Sequence, residues 1–479
     1  MSGARHWTWR NGARPAAREN APVQSAIEDF VRSLDLDAYL VGGAVRDELL
    51  GRASKDADFL VPGLDQDELL RRLAPHGKVE PLVVADRVVG VRLFPRERRI
   101  RALAPAGIEF APPRTERSTG PGRHDFEIVA DPSLSVEDDM RRRDFTINAI
   151  ARRLATGELV DPLGGERDLR AGILRTVSPR SFEEDPLRLV RGLRFVSQLD
   201  LEPDDETLRQ LRENAGRVRI VSGERIGGGL SADGLGELSK LLLGARPRKA
   251  LRLMRDTGVL TELVPELAPA IGFEQQSSRQ HLPLDEHLFA VVQATADAGD
   301  PLAVRLAALL HDLGKPLEPD ARGHAREGAR IARDVLNRFR YPTKLVRRVV
   351  AIVREHPFRA DDLPADAAAA RRFLRDHGDE LAFDLAAHRR ADMLGKQVGE
   401  DELAQVDRFR ALIEQERGSP HRLSDLALDG GDLIGLGFEP GPELGRALRE
   451  LLDVVVDDPS LNDRNELAER ARAILAARA

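Results

Sequence analysis

The stretch from Leu40 to Phe59, LVGGAVRDELLGRASKDADF, constrains this chain more than any other. Tyr39 to Val41 reads as a short apolar strand, Gly42-Gly43 as a turn, and Ala44 to Leu50 as a helical turn or two stopped by Gly51, with a second strand beginning at Asp56. Glycine lets backbone approach a ligand, the helix N-terminus aims free N–H groups at an anion, and Arg46 adds a planar cation within that first turn. Asp56 and Asp58 are two apart on a strand whose Phe59 and Val61 look inward, so both carboxylates project from one face. Two oxygen ligands on one rigid strand suit Mg²⁺ held beside a triphosphate. A solvated loop edge is the competing local reading of the same pair.

The chain has 479 residues, enough for about three domains. It contains no cysteine, which excludes disulfides and thiol-ligated zinc. No apolar run approaches a membrane span and no hydrophobic signal core opens the chain, so a cytoplasmic protein without a membrane partner is expected. The net charge of −7 argues against a uniformly basic nucleic-acid surface; RNA binding is expected to be local, through patches. Aromatic residues make up only 4 %, so base stacking is not expected to dominate recognition.

Residues 1 to 20 carry four arginines and both tryptophans without periodicity and read as a mobile tail. Ser25 with Glu28 makes a capping box, and Ile27, Phe30, Val31 and Leu34 form one helical face. After the DAD strand come a helix around Asp65 to Leu73, a strand from Val88 to Phe94 and an arginine-rich turn from Pro95 to Arg101. Ile108-Glu109-Phe110 reads as a strand with Glu109 facing away from its apolar neighbours. If that strand lies beside the DAD strand, Glu109 completes a carboxylate triad; otherwise it is an exposed strand glutamate. Residues 112 to 133 are polar and rich in Gly, Pro and Arg, and read as a long flexible loop. In RRRDFTINAIA, residues 141 to 151, three arginines precede an Asp able to cap a helix, which suits phosphate binding as well as a solvated basic helix start. SFEEDPLRLVRGLRF, residues 181 to 195, opens a helix with Glu184, Asp185 and Pro186 in its first turn. Asp185, Arg188, Arg191 and Arg194 recur every three residues as a polar ridge beside Leu187, Val190 and Leu193. A carboxylate acceptor and a guanidinium donor fixed on one helix can satisfy the pairing edge of a base, although such a ladder also simply stabilises helices.

LVGGAVRD with LLG and DAD, then RRDFTINA and EDPLR, resembles the class of nucleotidyltransferases that holds tRNA CCA-adding enzymes and bacterial poly(A) polymerases. The resemblance runs from about residue 38 to 470. It implies an α+β chain: a small mixed-sheet nucleotidyltransferase head (21–155) after the tail (1–20), an all-α neck and body (156–280), an HD domain (281–400) and a helical tRNA-binding tail (401–479). It implies a template-independent transfer of CMP and AMP from CTP and ATP to the tRNA 3′ end. Asp56, Asp58 and Glu109 would hold two Mg²⁺. Gly42, Gly43, Arg46, Arg143, Arg191 and Arg194 would hold sugar and phosphates, and Glu184, Asp185 and Arg188, which match the EDxxR motif, would choose the base. The length of the 112–133 loop favours full CCA addition or A addition over CC addition. DPLGGERDL, residues 161 to 169, resembles the turn between head and neck. The glycine-rich Ile226 to Gly236 departs from the family's unbroken helix.

Seven of the eleven histidines fall between His281 and His388. His287, the pair His311-Asp312, His324, His356 and Asp392 occur on successive helical patterns, in an order that resembles the HD domain of metal-dependent phosphohydrolases. Neutral imidazoles and carboxylates from several helices can enclose one or two divalent transition ions and activate water against a phosphate ester. His377 and His388 read as surface or packing residues, and Gly430-Gly431 and Gly437 to Gly441 as helix-capping turns or as cradles for a tRNA phosphate. Two other readings stay open: poly(A) or A-only addition, and an HD phosphohydrolase whose head only presents RNA.

Overall fold

A computed structural model describes residues 16–52, 58–84, 87–118, 126–228, 234–275, 281–318, 321–357 and 366–477. Two compact units account for it: one holds residues 1–230 with 236–238 and 253–263, the other 231–235, 239–252 and 264–479.

The first unit begins with α1 (Ala16–Arg32), so Ser25 lies inside a helix rather than at its cap, and the expected tail is helical from residue 16. The Ala, Arg and Glu residues ahead of Ser25 are good helix formers and carry the helix upstream. β1 (Tyr39–Val41), α2 (Gly43–Leu49), β2 (Asp58–Leu60), α3 (Gln66–Leu73), β3 (Gly77–Val84), β4 (Arg87–Pro95), α4 (Arg98–Leu103) and β5 (Ile108–Ala111) follow. The arginine-rich turn is therefore in part a helix, α4, which buries Ile100 while its arginines stay outside. The expected flexible loop contains an antiparallel hairpin, β6 (Arg114–Ser118) and β7 (Phe126–Ala130); its tip, residues 119–125, lies outside the described residues. The alternation of Phe126 and Ile128 with polar neighbours is the strand signal in that polar stretch. α5 (Val136–Arg141), β8 (Ala151–Arg153) and β9 (Leu159–Val160) complete a seven-stranded mixed sheet in the order β3-β4-β5-β2-β1-β8-β9. One face packs on a core of Val31, Leu40, Phe59, Leu69, Val91, Ile108 and Phe110.

α6 (Gly165–Ala171) is capped by Asp161, whose carboxylate accepts from the Gly165 and Glu166 N–H groups at 2.7 and 3.0 Å. Then come β10 (Ile173–Leu174), α7 (Ser181–Glu184), α8 (Leu187–Leu199), β11 (Glu202–Pro203) and α9 (Asp205–Asn214). The departure at Ile226 is a π-helical turn, Glu224–Gly228, tied back by the Gly236 N–H to the Gly227 carbonyl at 3.0 Å. Residues 229–233 lie outside the described residues. α10 (Glu237–Leu242), α11 (Pro247–Asp256) and α12 (Val259–Leu263) continue the chain.

The described part of the second unit is helical: α13 (Leu284–Asp297), α14 (Leu302–Leu310), α15 (Ala321–Arg338), α16 (Thr343–Glu355), α17 (Ala367–Gly395), α18 (Glu400–Glu416), α19 (Gly430–Gly435), α20 (Pro442–Asp457) and α21 (Arg464–Ala476). α14 is buried along its length, from Ala303 to Leu310, and therefore carries His311 into the interior at its C-terminal end. At α19 the Asp429 carboxylate already accepts from the Gly431 and Asp432 N–H groups at 2.8 and 3.0 Å, which makes that glycine pair a capping turn. No helix among the described residues is long and apolar enough to cross a membrane.

Gly165 tests the packing of α6. A Cβ there would stand 2.0 Å from the Thr146 carbonyl oxygen and 3.0 Å from Ile150, whereas one at Gly216 meets nothing closer than 3.9 Å. Gly165→Ala should destabilise the first unit by about 2 kcal/mol or more, with Gly216→Ala within about 0.5 kcal/mol of the parent, as read from urea unfolding.

Candidate active sites

In the first unit, β2 pairs in parallel with β5 so that Asp58 stands opposite Glu109 and Phe59 opposite Phe110. Strand alternation therefore places the two carboxylates on one face, while the two phenylalanines stack on the other at 5.6 Å between ring centres. The condition set by sequence for Glu109 is met: its strand lies beside that of Asp58. Asp56 lies outside the described residues. Glu109 also faces Arg92 across the β4–β5 ladder, and the Arg92 Nε donates to its carboxylate at 3.2 Å.

The Gly42 turn has φ +66°, and a Cβ there would stand 2.6 Å from an Arg143 Nη. Glycine is required twice, for the backbone and for the guanidinium. Gly43 opens α2, and Arg46 reaches back to Asn148, donating from Nη1 to Oδ1 at 2.7 Å, while its Nε donates to Asp47 at 2.9 Å. Arg143 donates to the Asn148 carbonyl at 3.3 Å and to Asp139 at 3.1 Å. Asp139 is fully buried; burial would raise its carboxyl, but Arg142 and Arg143 outweigh that and hold it below the usual carboxylate range. Asp144 does not cap a helix. It accepts from the Phe145 N–H at 2.8 Å and the Asn148 amide at 2.9 Å, and pairs with Arg191 at 2.6 Å. Burial pushes its carboxyl up, yet Arg191, with Asn148 and Arg188, brings it down to about 2.

The segment expected to select the nucleotide is two helices rather than one. Asp185 is extended (φ −145°, ψ 104°) between α7 and α8, because the residue before a proline is driven out of the helical region. From there its Oδ1 accepts the Leu187 N–H at 3.0 Å, and Arg225 donates to its Oδ2 at 3.0 Å. Arg188 donates to Glu184 at 3.2 Å, to the Ser181 hydroxyl at 3.0 Å and to the Arg142 carbonyl at 3.1 Å. Arg194 pairs with Glu237 at 3.1 Å over the face of Phe195, and burial lowers its guanidinium to about 10. Arg46 lies 5.2 Å from the centre of the same ring. Phe195, Asn148, Asp139 and Arg225 thus join the predicted residues. Asn148 and Phe195 lie inside the RRDFTINA and 181–195 runs without a role read for them there, whereas Asp139 and Arg225 lie outside any motif.

In the second unit the six predicted residues are brought together and are all buried. Asp312 stands between two groups: His287, His311 and Asp312 form one, Asp312, His324 and His356 the other. Asp392, from α17, has its Oδ1 3.2 Å from His287 Nε2 and 3.8 Å from His311 Nε2. His311 Nδ1 donates to the Ala308 carbonyl at 3.0 Å and His356 Nδ1 to that of Val353 at 2.6 Å. Those bonds leave the Nε2 lone pairs facing inward. The interior gathers imidazole nitrogens and carboxylate oxygens at close range. His311 Nε2 lies 3.1 Å from Asp312 Oδ2, His324 and His356 turn their Nε2 atoms to each other at 3.4 Å, and His287 Nε2, His311 Nε2 and Asp392 Oδ1 have no hydrogen-bond partner. Buried nitrogen and carboxylate lone pairs converging in this way fit divalent cations. Burial opposes ionisation of Asp312, but His311 and Lys315 hold it well below the carboxylate range; for Asp392 it is Lys396 and His287 that do so.

Of the two readings given for His388, surface or packing, its burial fits the second. It is buried one turn ahead of Asp392 on α17, with its ring edge-on to His311 at 4.8 Å and 5.7 Å from the His356 ring, and its Nε2 has no partner. Burial first, then the neighbouring imidazoles, push its basicity well down, so it is neutral. The spacing AHRRAD, an i, i+4 pair of ligand-type residues, was its available sequence signal. His377 is half-buried against Phe373, 4.3 Å between ring centres, and stands apart from these contacts.

Residues 38–175 match the poly A polymerase head domain, 200–271 the probable RNA and SrmB-binding site of polymerase A, and 284–405 the HD domain. The head and HD families are both metal-dependent. The multifunctional CCA protein of Cupriavidus taiwanensis is 36 % identical over 354 residues, 71 % of this chain and 79 % of that protein. That of Xanthomonas campestris is 34 % identical over 433 residues, 86 % and 95 % of the two chains. The fold is that of the Bacillus stearothermophilus CCA-adding enzyme solved with CTP, with a TM-score of 0.65 at 24 % identity over 97 % of this chain and 99 % of that one. The Thermotoga maritima CCA-adding enzyme solved with tRNA gives a TM-score of 0.55 at 21 % identity over 97 % and 98 %. With its head and HD segments in the same order and its similarity running through most of each relative, the chain belongs to the family of multifunctional CCA proteins.

Proposed function

We infer that this protein adds C, C and A to the 3′ end of tRNA from CTP and ATP, without a template. The observation that carries the reading is the placing of Asp58 beside Glu109 in the same unit as the Gly42 turn and the arginines of α8. Asp58 and Glu109, with Asp56, would hold two Mg²⁺ ions, which would supply charge compensation for the triphosphate and activation of the tRNA 3′-hydroxyl. The remaining work belongs to the chain. The Gly42-Gly43 turn admits phosphate oxygens against backbone, and Arg46 and Arg143, each braced by Asn148, present guanidinium forks to them. Arg191 is braced by Asp144 and Arg194 by Glu237, so both keep their direction when a nucleotide arrives. Glu109, now paired with Arg92, would have to share or release that guanidinium to hold an ion. Asp185 accepts from the base and Arg188 donates to it; the extended backbone at Asp185 turns that carboxylate off the helix surface, and Arg225 holds its direction.

Phosphate chemistry at the second site is the companion reading, favoured by the buried, unpartnered nitrogens of His287 and His311 and the Asp312 shared by both groups. A divalent transition metal there would supply an activated water. His311 and His356, whose Nδ1 atoms donate to backbone carbonyls, would offer it their Nε2 lone pairs.

Both readings are open to test. With tRNA lacking its 3′ end, the parent should gain three nucleotides in order; a long A tail or no extension would overturn the inference. Asp58→Ala should lower incorporation of both nucleotides to about one thousandth or less, whereas Arg188→Ala should retain transfer but lose about tenfold or more in discrimination between CTP and ATP, the scale of one base-edge contact. At the second site, phosphate release from a 2′,3′-cyclic phosphate or a phosphomonoester should require added divalent metal and fall about a hundredfold in His311→Ala. Equal rates in parent and variant would remove the companion reading and leave CCA addition untouched.

A further inference from the structure

The two carboxylates of the histidine cluster are each paired with a lysine, but on oxygens that face different ways. Asp312 Oδ2 lies 3.1 Å from His311 Nε2 and 3.7 Å from His287 Nε2, and the same oxygen is held by Lys315 Nζ at 2.5 Å. Asp392 turns Oδ1 toward those same nitrogens, while Lys396 Nζ holds its other oxygen, Oδ2, at 2.6 Å, with an Arg389 Nη also 3.4 Å from it. Both lysines are about four-fifths buried, with 20 % and 18 % of their side chains exposed. One ammonium therefore stands on an inner oxygen, among the lone pairs of His287 and His311. The other stands behind its carboxylate.

We propose that these lysines act on metal binding in opposite senses: Lys315 competes with the ion for Asp312, and Lys396 positions Asp392 to receive it. This inference rests on reading the cluster as a metal site. Without an ion, the buried Asp312 needs a cation, and Lys315, which also donates to Gln275 at 2.7 Å, provides it. A divalent ion entering among His287, His311 and Asp312 must take the oxygen that the ammonium holds, so Lys315 has to withdraw and its contact is subtracted from the affinity. Its exposed fraction marks the way out. Lys396 has no such conflict. It is four residues after Asp392 at the end of α17, holds the outer oxygen, and leaves Oδ1 unpartnered and directed at the imidazole nitrogens. Saturating the outer oxygen fixes the carboxylate rotamer, the role outer partners take around metal ligands. Lys396 is thus a positioning residue and Lys315 a displaceable surrogate for the ion.

The experiment is calorimetric titration of the full-length protein, stripped of metal by chelation, with Mn²⁺ alone and again with Ni²⁺ alone. Lys396→Met should bind about tenfold or more weakly with Lys396→Arg restoring most of the loss, and Lys315→Met should bind about tenfold more tightly. Circular dichroism of the metal-free proteins shows whether each variant is folded; Lys315→Gln and Lys396→Gln replace any methionine variant that is not. Shifts of the same sign in the two lysine variants, or no shift in either, would overturn this inference while leaving the metal site standing. A parent that takes up neither ion would overturn both.

Discussion

The ion pair between Asp144 and Arg191 is the joint on which the first site depends. Asp144 belongs to the segment after α5, and Arg191 to the middle of α8, nearly fifty residues later. Through Asn148 the same carboxylate is connected to Arg46 beside the phosphate turn, and through Arg191 to the helix that faces the base. A buried carboxylate with no counter-charge would be protonated or displaced; this one is held ionised at about 2 by its guanidinium and amide partners. Such a pair is weak evidence of stability, because desolvating both charges offsets most of their attraction. Its value here is geometric: it ties the Gly42 turn and Arg46, through Asn148, to the middle of α8.

The second site meets the same constraint with a different outcome. Around Asp144, Oδ1 accepts from the Phe145 N–H and the Asn148 amide, and Oδ2 is met by the Arg191 guanidinium at 2.6 Å. Around Asp312 the backbone carbonyls of Ala308 and Val353 take the outer imidazole protons of His311 and His356, so their inner nitrogens are left as acceptors beside carboxylate oxygens. The first arrangement is charge-compensated within the protein by Arg191. The second is complete only with cations, and the two lysines are the cations the chain itself supplies.

Much of both sites was legible because their residues come in short, chemically explicit runs. The Gly42-Gly43 turn, the RRRDF arginines, EDPLR and the HD pair are each local, and the strand pairing places Asp58 and Glu109 side by side as their alternation requires. Less legible were the partners. Glu237 and Arg225 carry no signature, and Asn148 and Phe195, though inside quoted motifs, do not show there which charged group they meet. The hairpin of β6 and β7 and the break at Asp185 were missed because composition outweighed alternation in the first and a proline's effect on the preceding residue outweighed helical periodicity in the second.

By itself the sequence determined the chemistry on offer: a glycine pair ahead of a short helix, carboxylates two apart in DAD, histidines and aspartates in helical runs, and the order of head before HD segment. Tertiary structure decided which oxygen or nitrogen of each residue is available. Leu40 to Phe59 does not show that Glu109 is shared with Arg92, nor does AHRRAD show that His388 faces His311 or LHDLGK that Lys315 occupies an inner oxygen. Periodicity reports the face on which a side chain lies, whereas its partner is set by elements far away in the chain that only folding brings within hydrogen-bonding distance.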